Sequence, residues 1–152
     1  MAEPSPQPDS VAPVAASDDF GSRRAARERA LELLYEAEIK GVPVDEILCA
    51  LPVPPDTYAQ SLARDADREQ AATDELLARF SHKWDVHRMP AIDRAVLRLA
   101  VGELQTQPSV PVKVVLNEAI ELAKRFSTEQ SGKFVNGLLS RVAHEVRPGE
   151  LA

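Results

Sequence analysis

The stretch "PAIDRAVLRLAVGEL", Pro90 to Leu104, constrains this chain more than any other. Ile92, Ala95, Val96, Leu97, Leu99, Ala100, Val101 and Leu104 leave it little polar surface, and Pro90 supplies a helix start. A helix that is apolar nearly all round must be enclosed by other elements, so the rest of the chain has to supply a jacket. With 152 residues, 44 % hydrophobic and 28 % charged, there is material for one globular domain or two small helical subdomains sharing a core.

The flanking segments read as that jacket. Residues 1–21 hold four of the twelve prolines and four acidic residues without apolar periodicity, which predicts a disordered arm. From Ser22, Ala30, Leu31, Leu33, Leu34 and Ala37 share one arc at 100° per residue, with Glu28, Glu32 and Glu36 opposite. Gly41 stops this helix, Pro43 introduces a short one over "VDEILCAL", and "PVPP" at Pro52 to Pro55 breaks the chain. A helical stretch follows from Asp56 to Phe80, anchored by Tyr58, Leu62, Leu76, Leu77 and Phe80, whose polar middle "RDADREQAATD" admits a break. "PVKVVLNEAIELAKRF" from Pro111 has strand-like valines, yet its apolar residues continue at helical spacing through Ile120, Ala123 and Phe126. The last helix, "GKFVNGLLSRVAHEV", presents Phe134, Val135, Leu138, Leu139, Val142 and Val146 to a core; its Gly137 is expected to permit close helix packing at a propensity cost of ~1 kcal/mol. The fold class is therefore all-α with six to seven helices, a helical domain over residues 22–147 and a short tail at 148–152.

The chemistry of most enzyme classes is missing. The single cysteine, Cys49, has no disulfide or CxxC companion and is expected as a buried or half-buried thiol. "SGKF" at Ser131 to Phe134 lacks the first glycine and the hydroxyl residue of a phosphate loop. His82 and His87 flank Trp84 at a spacing that does not put two imidazoles on one helix face, so no metal site is expected. No nucleophile and base can be paired, which argues against an enzyme and against a cofactor. The first 22 residues carry neither Lys nor Arg nor a long apolar run, and nothing later approaches the ~20 apolar residues of a membrane span. No membrane association is expected, and the expected location is the cytoplasm.

One feature runs against the bulk charge. The formal net charge is -6, yet Arg23, Arg24, Arg27 and Arg29 open the first strong helix. On the helical wheel Arg23 and Arg27 fall at the azimuth of the core residues, which predicts that the first two turns overhang the core. Cations at a helix N-terminus also oppose the macrodipole. Two readings follow: a solvated basic end held by Glu28 and Glu32, or a site for an anion such as nucleic acid. Tyr35, on the border of the polar face, offers either a stacking ring or a packing residue.

Three blocks, "RRAARERALELLYEAE", "AIDRAVLRLAVGEL" and above all "VLNEAIELAKRFSTEQSGKFVNGLLSRV", resemble the bacterial transcription antitermination factor family NusB. The resemblance spans roughly Arg23 to Val146. It implies two antiparallel helical bundles packed together and an activity of binding rather than catalysis. It further implies that the chain holds the single-stranded boxA element of nascent RNA jointly with NusE, a ribosomal small-subunit protein, in the transcription elongation complex. By the same resemblance Arg23, Arg24 and Arg27 match an arginine-rich RNA-contacting start, Tyr35 an RNA-facing tyrosine, and Phe134 an RNA-proximal position. Asp93 matches an acidic position on the NusE-facing surface. Gln130 stands where an acidic residue linked to RNA contact is familiar, and Ala25 where some members add another arginine. Two other classes fit parts of the pattern. A NusB-like domain precedes the catalytic domain of certain RNA cytosine methyltransferases, although these 152 residues hold no glycine-rich cofactor strand. A helical adaptor would turn the arginines toward an acidic protein surface.

Overall fold

The computed structural model describes residues 18–81 and 85–150, with the side chains described from residue 22. Seven α-helices occupy them: α1 (Asp18–Lys40), α2 (Val44–Ala50), α3 (Thr57–Arg68), α4 (Gln70–Phe80), α5 (Ala91–Thr106), α6 (Val112–Phe126) and α7 (Glu129–Val146), with one 3₁₀ turn at Val86–Arg88. No strand occurs among the described residues.

Local chemistry explains most boundaries. Gly41 adopts φ +66°, the left-handed conformation that ends α1 without the cost a side chain would incur. Asp56 caps α3 by accepting from the Tyr58 and Ala59 amides, and Thr128 caps α7 by accepting from the Ser131 amide. The polar middle of the 56–80 stretch does break: Glu69 leaves helical geometry between α3 and α4. α1 begins at Asp18, four residues before the start expected from the apolar pattern, so the end of the expected arm is helical; residues 1–17 lie outside the described residues.

α5 is the enclosed element, as its composition requires. It packs against α1, α3, α4, α6 and α7. Ala95, Val96, Leu97, Leu99, Ala100, Val101 and Leu104 are all buried. On one side α1, α2 and α3 pack together; on the other α4, α6 and α7 do, and α5 joins the two groups. Each buried Leu or Val of this core contributes about 1.5–3 kcal/mol of transfer free energy. Arg147 fastens the end of α7 to the end of α5, its guanidinium donating to the Leu104, Gln107 and Val110 carbonyls. Glu150 of the expected tail in turn accepts from the Val112 amide at 3.4 Å.

Three local expectations are corrected. Cys49 is exposed rather than buried, because the short α2 turns Val44, Ile47 and Leu48 inward and leaves its other face to water. Gly137 permits no close helix approach: a Cβ there would meet only the Arg141 side chain, at 3.9 Å. The tighter position is Gly102, where a Cβ would lie 3.5 Å from the Ala66 backbone across α3 and α5. The basic turns overhang the core less than expected: Ser22, Arg24 and Ala25 are exposed, but Ala26 and Arg27 are only 3 % and 4 % exposed.

Candidate nucleic-acid interface

The arginines at the start of α1 separate into different environments. Arg27 points inward. Its Nε donates to both carboxylate oxygens of Glu103, at 2.8 and 3.0 Å, and its Nη2 donates to Glu103 Oε2 at 2.8 Å. Glu103 is 2 % exposed and also accepts from the Tyr58 hydroxyl at 2.6 Å. Burial works against the Arg27 charge, but the hydrogen bonds and charge of Glu103 outweigh it and hold the guanidinium above its ordinary pKa. The helical wheel placed Arg27 at a core azimuth, and the core answers with a carboxylate in α5. Arg27 is thus an internal anchor, and its expected phosphate contact is withdrawn for lack of a free, exposed guanidinium.

Arg23 and Arg24 remain at the surface. The Arg23 guanidinium carbon sits 5.1 Å from the Tyr58 ring centroid, a cation–π contact that orients it beside the Arg27 network. Arg24 is bidentate to Glu118 of α6, at 3.1 and 2.8 Å, with its side chain 61 % exposed. Arg29 pairs with Glu32 one turn on, so an incoming phosphate meets guanidiniums that already hold carboxylates. Glu28, expected to brace this end from within the helix, instead pairs with Arg125 of α6. Tyr35 stands a further turn and a half along α1, with 38 % of its surface exposed.

The other expected residues gather elsewhere. Asp93, Gln130 and Phe134 line one cleft of about 350 Å³ together with Arg88, Met89, Pro90, Thr128 and Ser131, where the N-terminal ends of α5 and α7 meet. Gln130 is exposed and Phe134 is partly buried against the core. Asp93, expected on a partner-facing surface, is only 4 % exposed and lines the cleft. Its Oδ2 accepts from the Ser131 hydroxyl at 2.9 Å, and its Oδ1 has no partner. "SGKF" is part of α7 rather than a loop, with Ser131 serving Asp93.

The comparisons with known proteins agree with this architecture. The NusB family model matches residues 24–144. The chain belongs to the NusB family. Its helical domain is 45 % identical over 126 residues to the transcription antitermination protein NusB of Thermobifida fusca, covering 80 % of this chain and 89 % of that protein. It is 42 % identical to the NusB of Myxococcus xanthus, covering 82 % and 96 %. Among solved structures, T. maritima NusB superposes with a TM-score of 0.73 at 39 % identity, covering 84 % of this chain and 94 % of that one. A NusB solved with NusE and double-stranded RNA superposes with a TM-score of 0.71 at 26 % identity, covering 83 % and 98 %.

Within this NusB-family fold the described residues hold no cluster of three or more His, Cys, Asp and Glu side chains suited to a metal ion. No described helix is long and apolar enough to cross a membrane. His82 and Trp84 lie outside the described residues, and His87 is exposed. Glu103, Glu118 and Tyr58 are the residues that sequence reading missed. Glu103 carried a signal, a carboxylate inside the apolar run from Leu99 to Leu104, which demands a buried cation. Glu118 and Tyr58 carried none, because their roles depend on which helices become neighbours.

Proposed function

We propose that this chain is a transcription antitermination factor that binds boxA-type single-stranded RNA jointly with NusE, in the transcription elongation complex and in support of rRNA transcription, and that it acts by binding in the cytoplasm rather than by catalysis. The observation that carries the reading is the likeness, over 83 % of this chain and 98 % of the other, to a NusB solved with NusE and double-stranded RNA. Arg23 and Arg24 contact phosphates, and Tyr35, Gln130 and Phe134 lie along the RNA path; Arg27 holds the helix that presents them.

Charge supports the need for a partner. A chain of net charge -6, whose surface arginines are paired with Glu118 and Glu32, binds RNA weakly alone. A basic ribosomal protein seated on it would offset that charge and extend the positive track. RNA and NusE then bind with positive coupling of about 1–3 kcal/mol, and reciprocity requires RNA to tighten the protein pair by the same factor. The test is a thermodynamic box, with RNA affinity measured with and without NusE and NusE affinity measured with and without RNA. Equal RNA affinities in both arms overturn the coupled reading and leave a plain helical adaptor.

A further inference from the structure

Arg23 differs from the other three arginines at the start of α1 in what holds it. Arg24, Arg27 and Arg29 each donate to a carboxylate, of Glu118, Glu103 and Glu32 in turn. Arg23 has no carboxylate partner among the described residues; its contact is with the face of the Tyr58 ring, 5.1 Å from guanidinium carbon to centroid. A ring engages the flat face of a guanidinium and leaves its in-plane N–H groups uncommitted, whereas a carboxylate occupies them. Arg23 is therefore held in place while keeping the donors that a phosphate oxygen needs.

The ring itself is fixed at both ends. Tyr58 lies in the first turn of α3, where its amide donates to Asp56 at 3.0 Å, and its hydroxyl donates to Glu103 Oε2 at 2.6 Å. Glu103 is locked in turn by Arg27, which follows Arg23 by one turn on the same face of α1. Successive turns of α1 thus meet α3 and α5 through one carboxylate and one ring, with the half-buried Arg23 outermost. An unrestrained arginine loses rotamer freedom when it meets a ligand, and one already stacked has lost part of it on folding. The rival account is a staple between α1 and α3 with no bearing on RNA. Two apolar side chains would make that staple without half-burying a cation that lacks a counter-charge.

We propose that Tyr58 is a positioning residue for RNA binding: its ring holds Arg23 with the N–H edge free, so that this arginine meets a phosphate without first leaving a carboxylate, as Arg24 must. Tyr58 itself touches no RNA. The inference rests on the RNA-binding reading above and adds to it the side chain through which Arg23 is presented.

The experiment is a double-mutant cycle on the full chain, with Arg23→Ala and Tyr58→Leu titrated at low salt with a single-stranded RNA dodecamer of mixed sequence and urea unfolding measured beside each. Tyr58→Leu lowers RNA affinity by about three- to tenfold, the order set by immobilising one arginine side chain on binding, and has no further effect once Arg23 is alanine. Tyr58→Phe keeps the ring and stays within about twofold of the unaltered protein. Equal losses from Tyr58→Leu in both backgrounds mean that Tyr58 acts independently of Arg23 and overturn the proposal. Full affinity in Tyr58→Leu overturns it too, and leaves the RNA-binding reading intact where Arg23→Ala still weakens binding. An Arg23→Ala protein with unchanged affinity and salt slope takes Arg23 off the RNA and overturns both. If Tyr58→Leu fails to fold, the unaltered protein decides by NMR. The Arg23 side-chain protons then show an upfield ring-current shift that persists when RNA is added, and its loss on adding RNA overturns the proposal.

Discussion

The Tyr58 hydroxyl donates to Glu103 Oε2 across the α3–α5 contact at 2.6 Å, the same oxygen that accepts from Arg27. Burial, then the hydrogen bond to Glu103 and its charge, raise the Tyr58 pKa above its ordinary value. The folded protein therefore holds this proton more tightly than the unfolded chain. The resulting stability is fully present below about pH 10, the unfolded value, and is lost as pH climbs above it. Denaturant midpoints measured from neutral to strongly alkaline pH fall more steeply for the unaltered protein than for Tyr58→Phe. Parallel curves would show that Tyr58 contributes nothing to alkaline sensitivity.

Arg27 behaves as a fold residue. Arg27→Ala leaves Glu103 buried with only the Tyr58 hydroxyl, and losing one member of a buried ion pair costs about 3–5 kcal/mol. Urea unfolding reads this directly. Under conditions where the variant is folded, the salt dependence of its RNA binding matches that of the unaltered protein.

Arg24 behaves in the opposite way. Its exposed guanidinium must leave Glu118 or share it to meet a phosphate. Arg24→Ala lowers the slope of log affinity against log salt by about 0.7, with unfolding little changed. Glu118→Gln releases the guanidinium and raises RNA affinity. A Glu118→Gln protein that binds RNA more weakly would show that the carboxylate positions Arg24 for RNA instead of competing with it.

Gly137 offers a stabilising substitution. Its backbone is helical and a Cβ meets nothing closer than the Arg141 side chain at 3.9 Å. Gly137→Ala should gain about 0.5–1 kcal/mol, which shifts Tm upward by a few degrees in a domain of this size. A lower Tm would reveal a close contact at this position.

The exposed Cys49 thiol should react with a maleimide in the native protein, one adduct per chain by mass, without denaturant. Labelling that appears only on unfolding would return the residue to the interior.

The sequence alone determined the elements and their order, because helical periodicity, proline and glycine stops, and side-chain caps are local. "PAIDRAVLRLAVGEL" announced a central helix because its apolar residues surround the axis, and α5 is the helix that five others enclose. The blocks from Arg23 to Val146 likewise carried the NusB resemblance. What the tertiary structure decided is which charges meet. Arg23, Arg24 and Arg27 are equivalent cations in the sequence, and their separation into a ring contact, a surface pair with α6 and a buried anchor to α5 depends on residues 35 to 94 positions away. Asp93 was read as a surface acid, but the packing of α7 against α5 buries it under Ser131 in the same cleft as Gln130 and Phe134. Periodicity reports which face of a helix is apolar. Only the assembled helices determine whether a charge on that face finds a partner of opposite sign, and a buried charge is stable only when it does.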